Sequence, residues 1–199
     1  MDEVKKTKKV KVHRDVYEDK WLATIAVNQL SQAKSEGDGH RFRWVVPSMA
    51  FSVFRVEALC NIYGNQLFPH WGHFETSSFL GKVVMISEFL KIKVDFSTQP
   101  WQSLNEMKNF RNTLAHAKPK KISAIHEIPE HLPDRLAPFP KDKKTIMSYS
   151  SIESAERFIE VADELDWMWS SHSGQLGYNV DTIGAVSYTH LTLPTIYSV

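Results

Sequence analysis

Three side chains in one short stretch offer the chemistry in this sequence: Arg111, Asn112 and His116, within P-W-Q-S-L-N-E-M-K-N-F-R-N-T-L-A-H-A-K-P at residues 100–119. A guanidinium is always charged, and its planar fork of donors suits a phosphate or a carboxylate. An imidazole moves protons near neutral pH. An anion clamp and a proton carrier five residues apart are the strongest functional signal in the chain. A carboxylate belongs with them. Glu57 lies on an apolar helical face with Ala50, Val53, Phe54 and Ala58, where an unpaired charge is costly, and Arg111 is the expected partner.

The element that carries the motif reads as one helix over 100–119, with Pro100 in its first turn and Pro119 closing it. Trp101, Leu104, Met107, Phe110, Leu114 and Ala115 form its apolar stripe, and Arg111 falls near the middle of that stripe. The spacing poses a difficulty. Five residues turn an ideal helix by roughly 500°, which leaves Arg111 and His116 about 140° apart. Either the last turn unwinds before Pro119, or a second chain supplies the complementary group. Asn105, Asn109, Asn112 and His116 instead share one polar edge about 60° wide. On that edge Asn112 lies one turn below His116 and is placed to position it.

Four further helices are expected. The first runs from Asp15 to about Ser35, with Trp21, Leu22, Ile25, Ala26 and Leu30 inward. The second, over 47–65, is apolar around most of its circumference and is expected at the centre of a bundle. The third covers 78–90, and the last starts at Ser151 and runs through Trp169. Phe96 is expected in the core ahead of the motif helix. The proline-rich stretch between Pro119 and Pro140 reads as a long surface excursion with one short strand at 122–128. His70 and His73 flank Trp71 in an aromatic loop and have no companion at metal-ligand spacing, so that loop is expected to pack around Trp71. The fold class is therefore all-α, a helical bundle of about five helices.

Composition narrows the function classes. The chain has 199 residues with 24 basic and 23 acidic side chains, a net charge of +1, so it has no global charge signature of nucleic-acid binding. Its basic residues are clustered instead, at Lys5, Lys6, Lys8, Lys9 and Lys11 and again at Lys118, Lys120 and Lys121. The single cysteine, Cys60, excludes an internal disulfide and suits a reducing compartment. No uninterrupted run of about 18 apolar residues is present. A cytoplasmic protein without a membrane role is expected.

The stretch R-N-T-L-A-H resembles the R-N/D/H-x(3–5)-H motif of the HEPN family, the higher eukaryote and prokaryote nucleotide-binding domains, including its uncharacterised bacterial members. The likeness covers about residues 17–171 in helix order and motif position. It implies an antiparallel bundle and, in many members, metal-independent RNA cleavage by a homodimer whose motifs face one cleft. Carried onto this sequence, it makes Arg111 and His116 catalytic and Asn112 a supporting polar residue, with Glu57 and Asn109 beside them. It implies no cofactor and no metal. RNA or a nucleotide is the expected ligand, and an antitoxin-like or nucleotidyltransferase-like protein is a possible partner in a toxin or defence setting. The same family includes non-catalytic binding modules, which is the alternative function.

The expected organisation is a flexible basic arm at 1–14, a helical domain at 15–175, a tail at 176–185, and a final segment from Val186. That last segment, V-S-Y-T-H-L-T-L-P-T-I-Y-S-V, carries no charged Asp, Glu, Lys or Arg and resembles the translation of a sequencing adapter, so it is expected to be foreign to the native frame.

Overall fold

The computed structural model describes residues 10–14, 16–37, 39–116, 119, 121–131, 133, 136–138, 145–182 and 186–190. Among them the protein is mostly helical. The order is β1 (Val10–Arg14), α1 (Asp19–Ser35), α2 (Phe42–Leu67), a 3-10 turn (Trp71–His73), α3 (Phe79–Phe89), α4 (Trp101–Ala115), α5 (Ile146–Tyr149), α6 (Ile152–Gln175) and β2 (Val186–His190).

Helix α2 is the hub, packed against α1, α3, α4 and α6. Its residues Val45, Met49, Val53, Val56, Leu59, Cys60 and Tyr63 are buried on several sides, as the continuous apolar pattern requires. By length and composition α2 also meets the requirements of a membrane span, but 61% of that stretch is buried by neighbouring elements, the pattern of a core helix. It begins five residues before Pro47, earlier than the proline suggested. Proline's missing N–H deletes one internal hydrogen bond, and the buried Val45 and Ser48 around it compensate. Ser48 Oγ donates to Ala26 O at 2.8 Å and draws α1 close.

Helix α1 buries Ala26, Leu30 and Ala33 on one stripe. The expected inward Trp21 is instead 67% exposed, while Asp19 is fully buried. The helix is rotated so that its first turn presents charge to α2 and α6. Helices α3 and α6 open on serine caps: Ser78 Oγ accepts from Gly81 N at 3.1 Å and Ser151 Oγ from Ser154 N at 3.0 Å. Trp71 fills the space beside Gly64, where an added Cβ would stand 2.2 Å from the indole. Its Nε1 donates to Asn61 Oδ1 at 3.2 Å, so the aromatic loop does pack around this ring.

Several expectations are corrected. Six helices occur among the described residues, one of them the four-residue α5 behind a Thr145 cap. The strand expected at 122–128 is absent, and residues 121–129 are irregular. Phe96 is 40% exposed, and Trp101 occupies the core in its place. Part of the basic arm is ordered: β1 pairs antiparallel with β2, Val10 opposite His190 and Arg14 opposite Val186. The alternation V-K-V-H-R among the lysines is strand patterning. Residues 1–9 lie outside the described residues. The tail after α6 is partly packed, with Tyr178 against Phe89 at 5.4 Å and Gln66 paired with the backbone of Asp181 at 2.8 Å in both directions.

Candidate active site

Helix α4 is held on the core by Trp101, Leu104, Met107 and Phe110, all buried, and by edge-to-face contacts of Phe110 with Phe158 and Tyr149. This packing fixes the rotation of the helix and therefore the direction of Arg111. The guanidinium Nε stands 3.2 Å from Glu57 Oε1, the partner expected from the sequence. Arg111 is 38% exposed and Glu57 26%, so the ion pair lies at the surface of the α2–α4 seam. Nη1 makes a long hydrogen bond of 3.4 Å to Asn112 Oδ1. Nη2 makes no hydrogen bond among the described residues. A guanidinium held at one edge and open at another can take an anion bidentately or singly.

His116 ends the helix. Its N–H still donates to Asn112 O at 3.0 Å, but its backbone (φ −123°, ψ 36°) has left helical geometry. The side chain is exposed. The unwinding considered above therefore begins at His116 itself. Arg111, Glu57 and Asn112 are brought together, whereas no hydrogen bond joins Arg111 to His116. Asn109 is exposed on the polar edge, and its carbonyl accepts from Thr113 Oγ1 at 2.9 Å. No group of three or more His, Cys, Asp or Glu side chains that could hold a metal occurs among the described residues. Cys60 is fully buried, and burial pushes its thiol up to about 12, well out of the reactive range.

A second charged cluster was not foreseen. Arg55, 5% exposed on α2, pairs with Asp163 through Nη1 and lies 3.7 Å from Asp166 through Nη2. Lys20 bridges Asp166 at 3.0 Å and Asp19 at 3.1 Å. Burial lowers the Lys20 pKa, but its hydrogen bonds to Asp166 and Asp19 outweigh this, and the net shift is upward. Tyr63 Oη reaches Asp166 Oδ1 at 3.2 Å, and burial together with that carboxylate holds the phenol protonated far above its usual range. Asp19 meets Lys20 as an ion pair outside strict hydrogen-bond geometry, and the Nε of Arg55 has no hydrogen bond among the described residues. The available signal was Arg55 inside the apolar run S-V-F-R-V of α2, facing the i, i+3 pair Asp163 and Asp166 on α6.

Comparison with protein-family models, with curated proteins and with solved structures returns no match.

Proposed function

We propose that this chain is a metal-independent endoribonuclease of HEPN type, of the toxin or defence class, acting as a homodimer in the cytoplasm. The observation that carries the proposal is the half-open Arg111, anchored by Glu57 beside a motif that ends in an exposed His116. In this reading Arg111 holds a phosphodiester through its outward donors and steadies the charge that builds on phosphorus. His116, or its counterpart in a second chain, removes the proton from the adjacent ribose 2′-hydroxyl. The 2′-oxygen attacks phosphorus and the bond to the 5′-oxygen breaks. That oxygen leaves with a proton, and a 2′,3′-cyclic phosphate remains. Asn112 steadies the guanidinium, while Asn109 and Asn105 belong to the polar edge along which the strand would lie.

The homodimer is supported by two features. Arg111 and His116 are separated on one chain, so two facing motifs complete the pair. Phe54, one turn before Ala58 on the outer side of α2, is 46% exposed next to Glu57 and gives a second copy an apolar contact. The second reading is a non-catalytic RNA- or nucleotide-binding module, favoured by the absence of a hydrogen bond between Arg111 and His116.

The test is incubation of purified protein with mixed RNA in EDTA, alongside Arg111→Ala and His116→Ala. Cleavage to cyclic-phosphate ends by the wild type and loss of it in both variants is expected. Equal cleavage by all three, or by none, overturns the enzymatic reading, and retained RNA affinity without cleavage supports the binding module. Sedimentation at micromolar concentration is expected to give a dimer, and a monomer removes the shared-cleft form.

A further inference from the structure

A cavity of about 590 Å³ opens on the outer side of α2, beside the residue that anchors Arg111. Tyr17 and Glu18 line it ahead of α1, Ala58, Asn61 and Asn65 line it on α2, and Asp181 closes it from the tail. The main chain at Asp181 is held by Gln66 at 2.8 Å in both directions, which fixes that wall. Val16 and Ile62 add apolar surface. No described lysine or arginine lines it, so it is not a place for a phosphate. Apolar and aromatic walls with a few convergent polar groups suit a small planar ligand.

Its polar groups are set in direction by bonds they already make. Asn61 Oδ1 accepts from Trp71 Nε1 at 3.2 Å, which turns that carboxamide so that its N–H donors are left for another partner. Asn65 Nδ2 donates to Asn61 O at 2.9 Å, and its Oδ1 makes no hydrogen bond among the described residues. Glu18 stands exposed at the rim and, when ionised, only accepts. The cavity therefore offers one donor group and two acceptor groups beside Tyr17. Adenine and cytosine each carry an amino group beside a ring acceptor, which matches this set. Uracil carries one N–H between two carbonyls, and its carbonyl oxygens would meet the acceptors of Glu18 and Asn65.

The helix ties this cavity to the Arg111 site. Ala58 follows Glu57, whose Oε1 stands 3.2 Å from Arg111 Nε. Asn61 and Asn65 lie one and two turns beyond Glu57, about 6 and 12 Å along the axis. Single-stranded RNA is read with its bases splayed from the stack and packed against aromatic side chains. A strand fixed by its phosphate at Arg111 brings its next bases across this side of α2, away from α4. We infer that the cavity is a base-recognition subsite of the Arg111 site, selecting adenine or cytosine over uracil one or two nucleotides from the clamped phosphate. The inference rests on the proposed RNA ligand and requires no cleavage.

The experiment is fluorescence anisotropy of the full chain with labelled hexanucleotides of adenosine, cytidine or uridine, all 2′-O-methylated so that the 2′-oxygen cannot attack. The wild type is expected to bind the adenosine and cytidine strands about tenfold more tightly than the uridine strand, the worth of one matched base edge. Ala58→Phe fills the cavity and is expected to level the three affinities. Glu18→Gln, at the exposed rim, is expected to narrow the preference to about threefold. A matching thermal transition shows that each variant is folded. Arg111→Ala is expected to weaken all three strands alike and to keep their ratio. No binding or no preference in the wild type, a preference undiminished in either folded variant, or affinities that ignore Arg111 overturn the inference. The two proposals fail separately. If the preference is present and is lost on filling the cavity but RNA is not cut, the subsite stands and the nuclease falls. If RNA is cut in an Arg111-dependent way and the strands bind without preference, the nuclease stands and this inference falls.

Discussion

Arg55 and Arg111 are both arginines on core-packed helices, and both reach an acidic residue on a neighbouring helix. They differ in what surrounds them. Arg55 is 5% exposed and faces two aspartates of α6, with Lys20, Asp19 and Tyr63 completing the cluster. Arg111 is 38% exposed, meets one glutamate and keeps part of its donor set open. A guanidinium enclosed by carboxylates joins helices. One held at a single edge remains available to a ligand. Solvent access and the number of anionic neighbours separate a brace from a candidate clamp, even though residue type and helical setting are alike.

That contrast is best broken by removing each arginine in turn. Arg55→Ala removes the buried guanidinium that faces Asp163 and Asp166, and it is expected to cost about 3 kcal/mol in urea unfolding. A loss below about 1 kcal/mol, the range of an exposed pair, would show that the cluster is not a brace. Tyr63→Phe removes the hydroxyl from Asp166 while keeping the ring packed on Trp169. It is expected to cost about 1 kcal/mol in the same measurement. Arg111→Ala is expected to change stability by no more than about 1 kcal/mol, since its ion pair is partly solvated. It should nevertheless abolish RNA cleavage. A variant that is both inactive and strongly destabilised would place Arg111 with the braces.

The smallest effect is a pH dependence. The pKa of Lys20 is raised in the folded state above its ordinary 10.5. The folded protein therefore holds this proton more tightly than the unfolded chain. The stability it contributes is whole below that ordinary value and is lost as pH climbs through the folded value above it. In thermal melts Lys20→Met should fall below wild type in neutral solution, and the gap should narrow in strongly alkaline solution. A constant gap would mean that the lysine acts by packing alone.

The helical class and the pairing of Glu57 with Arg111 were legible because periodicity and the cost of an unpaired charge are both local arguments. The stripe of α4 needs only its own sequence, and a carboxylate on an apolar helical face has few available partners. Arg55 stands as conspicuously inside an apolar run of the sequence. Its partners lie more than a hundred residues away on α6, and no local rule links them. Trp21 illustrates the reverse limit. Hydrophobicity placed it inside, whereas the need of Asp19 and Lys20 to meet α2 and α6 rotated α1 and turned the indole outward. The geometry of His116 was bounded but not fixed by the wheel, because where a helix stops is decided by its last turn and not by its period.

The side-chain amide of Gln66 clasps the main chain at Asp181 from both sides, and Tyr178 lies on Phe89 just before that clasp. A protein cut back to its last helix would lose both. The packed unit of this molecule accordingly extends past Gln175 to about Asp181, and a tag or fusion joined at the end of α6 would displace the strip of chain that lies over the ends of α2 and α3.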